Sequence, residues 1–103
     1  MKLVNTDYIT GKELEILELV TGSTIQSKNA ISDIGQGLKT LVGGELKSYS
    51  DMMNKAREVA VSRMIDNAKL LEADAIINVK FTTSSVMAGA SEVLAYGTAV
   101  KYK

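Results

Sequence analysis

The sequence predicts an α+β domain in which a small mixed sheet carries two helices on one face, in the order β-α-α-β-β. Three observations lead there. Apolar residues recur with a helical period from Ser48 to Glu72. A second helical pattern, closed by Gly43-Gly44, precedes that stretch. After Ala73 the apolar period changes to two, the mark of strands.

The long helix organises the chain. At about 100° per residue, Met53, Ala56, Ala60, Val61, Met64, Ala68 and Leu71 share one arc, and Lys55, Glu58, Ser62, Asp66 and Lys69 fall opposite. The inner stripe is mostly alanine and methionine. Small residues let a helix lie close to a sheet, and the thioether fills irregular gaps. Ser48-x-x-Asp51 has the form of a capping box at the start. Arg57 interrupts the apolar arc and leaves three readings open. Its stem can lie along the sheet with the guanidinium in water. It can enter a buried or intersubunit ion pair, or hold an anionic ligand by the same fork geometry.

The remaining elements follow from local patterns. A short strand is expected at Leu3-Val4, and Thr10-Gly11-Lys12 makes a turn. Glu13 to Thr21 reads as a strand whose apolar set changes face around Leu17, which implies a bulge or burial on both sides. Gly22-Ser23 is expected to end it, and Thr24 to Lys28 to link onward. Asn29 suits the N-cap of a helix over Ala30 to Val42, with Ile31, Ile34, Leu38 and Leu41 on one side. Gly35 and Gly37 inside it each cost about 1 kcal/mol relative to alanine. Past the long helix, Ala75, Ile77, Val79 and Phe81 are expected to face one way and Ile76, Asn78, Lys80 and Thr82 the other. Thr83 to Ser91 reads as a loop, and Glu92 to Tyr102 as the last strand.

Composition narrows the function. A chain of 103 residues makes one domain, 1–103, with 46% hydrophobic but only 5% aromatic residues, so its core is aliphatic. Twelve basic and twelve acidic residues cancel, which gives no electrostatic footprint for nucleic acid. No apolar run reaches the roughly 18 residues of a membrane span, and the first residues lack a signal-peptide pattern. A cytoplasmic location is the expectation, and the absence of cysteine agrees with it. Without Cys or His, the chain has no thiol nucleophile, no Ser-His-Asp triad and none of the usual zinc ligands except carboxylates. Gly35-x-Gly37 and Gly43-Gly44 lie inside and after a helix, whereas a phosphate cradle follows a strand and opens one. No cofactor and no enzymatic activity are therefore expected.

Burial then argues for assembly. The first and last strands carry apolar groups on both faces, and two helices cover only one. Side chains such as Leu17, Leu94, Tyr96, Val100 and Tyr102 would otherwise stay wet, at a loss of about 1.5–3 kcal/mol each. That sum rivals the whole stability of a small domain. A homo-oligomer joined through these residues is expected.

Several of these residues also carry a family resemblance. They include Val20-Thr21-Gly22, Asn29, Asp33, Val42-Gly43-Gly44, Tyr49, Ala56-Arg57-Glu58, the run Ala73 to Val79, and Tyr96-Gly97-Thr98-Ala99-Val100. In order and spacing the chain resembles the YbjQ-like proteins, an uncharacterised family labelled as a heavy-metal-binding domain. The resemblance covers nearly the whole chain. It implies a dodecin-like core assembled as a ring, a homopentamer. The family's Gly-Ala-Asn-Ala turn appears here as Glu72-Ala73-Asp74-Ala75, so the usual C-cap glycine is missing.

Soft metals want thiolate or imidazole, which disfavours the heavy-metal label for this chain. Met52 and Met53 diverge by about 100° on a helix and cannot both turn to one ion easily. Glu72 and Asp74 form an acidic turn that could hold only a weak hard-cation site. The expectation is a non-enzymatic homo-oligomer that binds a small unidentified ligand or acts as a scaffold. A metal-ion-binding protein is the alternative. Arg57, Asp33 and Tyr49 are the candidates for a ligand site or an intersubunit ion pair.

Overall fold

A computed structural model describes residues 1–27, 44–87 and 90–103. The described elements are β1 (Lys2–Leu3), β2 (Leu14–Ser27), α1 (Gly44–Leu70), β3 (Ala75–Met87) and β4 (Ala90–Tyr102). They form one four-stranded sheet in the order β1-β3-β4-β2. β1 runs parallel to β3, and the other neighbours are antiparallel. The sheet is therefore mixed, as expected, with the short N-terminal strand as its fourth member. The helix expected over Ala30–Val42 lies outside the described residues. Among the described residues a single helix covers one face.

That helix follows its alanine stripe. Ala56, Ala60, Met64 and Ala68 are buried against Val20 of β2, Val93, Ala95 and Ala99 of β4, and Ile76 of β3. The helix lies mainly over β2, less over β4 and barely over β3. At Gly22 the backbones come so close that an added Cβ would overlap the Ala60 carbonyl oxygen and the Met64 amide nitrogen. Gly22 does not end β2 as expected. It sits within the strand, opposite Ala95, because the helix backbone needs the space there. The strand runs on to Ser27.

Two bulges set which side chains face the helix. One lies between Ile16 and Glu18, at the face change read around Leu17. Leu17 turns toward the helix-side core, and Leu19 stays exposed. The other lies between Ile77 and Lys80, where Asn78 adopts a φ of 53°. Asparagine tolerates this left-handed conformation better than most side chains. This bulge corrects the simple alternation expected for β3. Ala75 and Ile77 pack with Ile9 and Val100 in a second cluster, whereas Ile76 and Val79 belong to the helix-side core. The N-terminal segment supports the bulge, with the Asn78 amide donating to Thr6 O (2.9 Å) and the Val79 amide to Val4 O (3.0 Å).

The loop expected over Thr83–Ser91 is instead mostly hairpin. Thr83 pairs with Val93, Ser84 with Glu92 and Ser85 with Ser91. Small polar residues on both faces leave no apolar period, yet their backbones complete a ladder. Every β3 residue from Lys80 to Met87 is exposed.

The helix ends also depart from expectation. α1 starts at Gly44, a turn before Ser48, so Ser48 is not its N-cap. Glu45, Leu46 and Lys47 are all good helix formers. At the far end the Ala73 amide donates to Ala68 O (3.1 Å) and the Glu72 amide to Lys69 O (3.0 Å). This is a Schellman pair, with Glu72 at φ 59° in the position glycine usually fills.

Two stability outcomes test this packing. Gly22→Ala should cost about 3 kcal/mol in urea denaturation, the upper end for overpacking, because backbone must move to admit the methyl group. An unchanged midpoint would mean that α1 does not lie this close. Glu72→Gly should gain about 0.5–1 kcal/mol by relieving the left-handed strain. A loss would show that the glutamate side chain contributes more than its conformation costs.

Candidate functional site

Because α1 sits over β2 and β4, a groove opens between its flank and β3. Val61 and Ile65 of the helix and Phe81 of β3 supply the apolar surface, and Phe81 is 50% exposed. Asn54, Arg57, Glu58, Asp66 and Lys69 supply the polar rim of a space of about 830 Å³. The groove continues past Phe81 toward Leu3 and Val79. Its chemistry is amphipathic, a half-exposed aromatic ring bordered by two cations and two carboxylates.

Arg57, the residue singled out in the apolar arc, lies at this groove. Its guanidinium is exposed and donates to Asn54 Oδ1, one helical turn back. The side chain thus stands at the edge of the contact face, because the contact centres on Ala56 and Ala60. Asp33 lies outside the described residues. Tyr49 belongs to α1, but its side chain is likewise outside the description, so of these three only Arg57 is placed. Glu58 pairs with Lys55 at 3.7 Å, both largely solvated, an interaction worth a few tenths of a kcal/mol.

The five expected interface residues fall in different places. Leu94 and Tyr96 are half-buried and lie on the face turned away from α1. Leu17 packs on the helix side. Val100 is fully covered within the chain by its cluster with Ile9, Ala75 and Ile77 and offers no surface to a neighbour. Tyr102 packs on the same cluster beneath Lys12, whose Nζ stands 4.9 Å from the ring centre. Ile16, Leu19 and Ile25 are the truly exposed apolar groups on β2, at 62%, 66% and 60%.

Two helix residues escaped the sequence reading. Arg63 Nη1 donates to Ser23 O (2.6 Å) and Asn67 Nδ2 to Thr21 O (2.8 Å), so side chains four apart on α1 reach the outer edge of β2. The signal for them is their place on the apolar arc, Asn67 between Ala56 and Ala60 and Arg63 at its border. The acidic turn is equally structural. Asp74 Oδ2 accepts the Tyr102 amide (2.8 Å), and Glu72 lies 3.7 Å from Lys101. Among the described residues no three acidic side chains gather as a metal site would need. No helix among them is long and apolar enough to cross a membrane.

Comparison with known proteins agrees with the resemblance. The YbjQ family model, described as "Putative heavy-metal-binding", matches residues 1–103. A UPF0145 protein of Clostridium novyi is 64% identical over 101 residues, 98% of each chain. One from Alkaliphilus metalliredigens is 61% identical over 102 residues, 99% of each. The chain belongs to this YbjQ-like family, whose curated members carry the name UPF0145. Among solved structures, a protein of unknown function in the DUF74 family from Pediococcus pentosaceus superposes with a TM-score of 0.71. It is 20% identical and is matched over 98% of its length and 100% of this chain, a likeness of fold.

With its guanidinium in water and bonded only to a neighbouring turn, Arg57 adds little to folding. Arg57→Met should change stability by less than about 0.5 kcal/mol in urea denaturation. A loss of several times that would place the guanidinium in a buried ion pair instead.

Proposed function

We propose that the chain works as a homo-oligomer, a pentameric ring as the family resemblance implies, that binds a small ligand or serves as a scaffold without catalysing a reaction. The observation that carries this reading is a stretch of apolar sheet face that no described element covers. Ile16, Leu19 and Ile25 stand mostly exposed there, beside half-buried Leu94 and Tyr96. Full burial of three such aliphatic side chains is worth about 1.5–3 kcal/mol each. A domain of this size has about 5–15 kcal/mol in all, so covering that face would add a large fraction of the stability such a domain has.

The shape supports the same reading. A compact chain of about 100 residues has a radius of gyration near 13 Å. This one measures 16.7 Å and extends over 53 × 25 × 16 Å, with long strands only partly backed by the helix. The amphipathic groove beside Arg57 is where a small ligand fits best. An apolar body would lie on Phe81, and an anionic group would reach the Arg57 fork. A heavy-metal role has weaker support, since the soft donors reduce to thioethers and Met53 packs against the core.

Native mass spectrometry of protein purified without an affinity tag tests this directly, since it reports stoichiometry and retained ligand together. The expected spectrum is one closed multiple of the protomer, five copies on the resemblance, without stoichiometric heavy metal. Leu19→Asp should lower that multiple, because a carboxylate would enter the covered face. A folded solitary protomer in the wild type would overturn the reading, and stoichiometric copper or zinc would favour the metal-binding alternative.

A further inference from the structure

The groove beside Arg57 has two electrically unlike ends. The flank of α1 that borders it presents Arg57 toward one end, Val61 and Ile65 in the middle, and Asp66 and Lys69 toward the other. Phe81 and Val61 also line an adjoining smaller space with Leu3 and Val79, so the apolar floor reaches the N-terminal segment. From Arg57 to Ile65 the helix rises about 12 Å. At the far end a carboxylate and an ammonium, Asp66 and Lys69, lie three residues apart on one helix face, and their fields offset. At the near end Glu58 faces Lys55 at 3.7 Å, while Arg57 donates to the neutral Asn54 side chain. Among the described residues Arg57 is thus a groove cation with no carboxylate of its own.

Resting on the small-ligand part of the reading above, we propose that this groove takes a single-chain aliphatic carboxylate of medium length. Its head would sit on Arg57 and its tail would run over Phe81 toward Ile65, Leu3 and Val79. A guanidinium fork matches a carboxylate through two parallel N–H donors. The tail is specified by the floor. Apart from Phe81, the apolar lining is aliphatic, and no second aromatic residue borders either space. A flat aromatic ligand would find one ring to stack on, whereas an aliphatic chain meets every apolar residue of the floor. An extended chain such as that of decanoate spans about the distance from Arg57 to Ile65. Orientation follows from charge, because Asp66 would repel a carboxylate head placed at the other end.

The chain contains one phenylalanine, Phe81. Growth on 4-fluorophenylalanine therefore gives the full chain a single fluorine reporter, on the floor of the groove. Fluorine NMR with decanoate as the probe should show a saturable displacement of that one line, with circular dichroism unchanged. Arg57→Met should weaken decanoate at least about tenfold, the loss of a charge-assisted pair. Butyrate, which keeps the head and lacks the tail, should bind at least about tenfold more weakly than decanoate. No saturable displacement into the millimolar range would overturn the proposal, and so would a displacement seen only as the helical signal is lost. Equal affinity in Arg57→Met, or equal affinity for decyltrimethylammonium, would show apolar contact without recognition of the head and would overturn it too. A silent fluorine line with the native mass still oligomeric would remove the carboxylate and leave the scaffold reading standing. A saturable line with a monomeric native mass would do the reverse, upholding the ligand while ending the oligomer.

Discussion

The structure depends on a backbone-to-backbone contact. At Gly22 the strand lies against the turn of α1 that holds Ala60 and Met64, with no room for a methyl group between them. Alanines at 56, 60 and 68 put only small side chains into the rest of the seam. Such a contact gains dispersion energy from many close atom pairs and leaves no void. It also fixes where the helix can lie. α1 is held over β2 and β4, and its width cannot reach β3 as well.

What remains uncovered follows from that placement. The β3 side of the sheet becomes a groove bordered by Phe81 and Arg57. Among the described residues the opposite face is covered only near Ile9, where the N-terminal segment folds over Ile77 and Val100. Leu94, Tyr96 and the exposed β2 side chains have no cover among the described residues. The same helix also guards part of one edge, through Arg63 and Asn67, while beyond its bulge β3 has no outer partner among the described residues. A single element thus accounts for a core, a groove, a bare face and two unlike edges.

Much of this could be read in the residues. The alanine-methionine stripe identified the buried side of α1, and the face change at Leu17 identified a bulge, because both are periodicities of one element. The Asn78 bulge left no trace in the alternation, since apolar residues occupy both registers from Ala75 to Phe81 and either phase looks satisfactory. Gly22 was read as a stop because glycine weakens strands in general, whereas here it admits a neighbour that only tertiary structure reveals. The Thr and Ser residues of the hairpin carry no apolar signal, so a real strand resembled a loop. Val100 looked available to a partner because nothing local announces that Ile9, far away in sequence, lies on it. Arg57 breaks the apolar pattern; Asn67 falls between Ala56 and Ala60 on the same arc and Arg63 at its border, a signal as legible as that of Arg57.

The central claim is that one protomer cannot cover its own sheet, so folding and association are a single equilibrium. The most direct measurement is the urea midpoint of the wild-type chain across about a hundredfold range of protein concentration. Coupled folding and assembly make that midpoint rise with concentration by mass action. A midpoint that stays constant over the whole range would show a protomer that is stable alone, and would contradict the account.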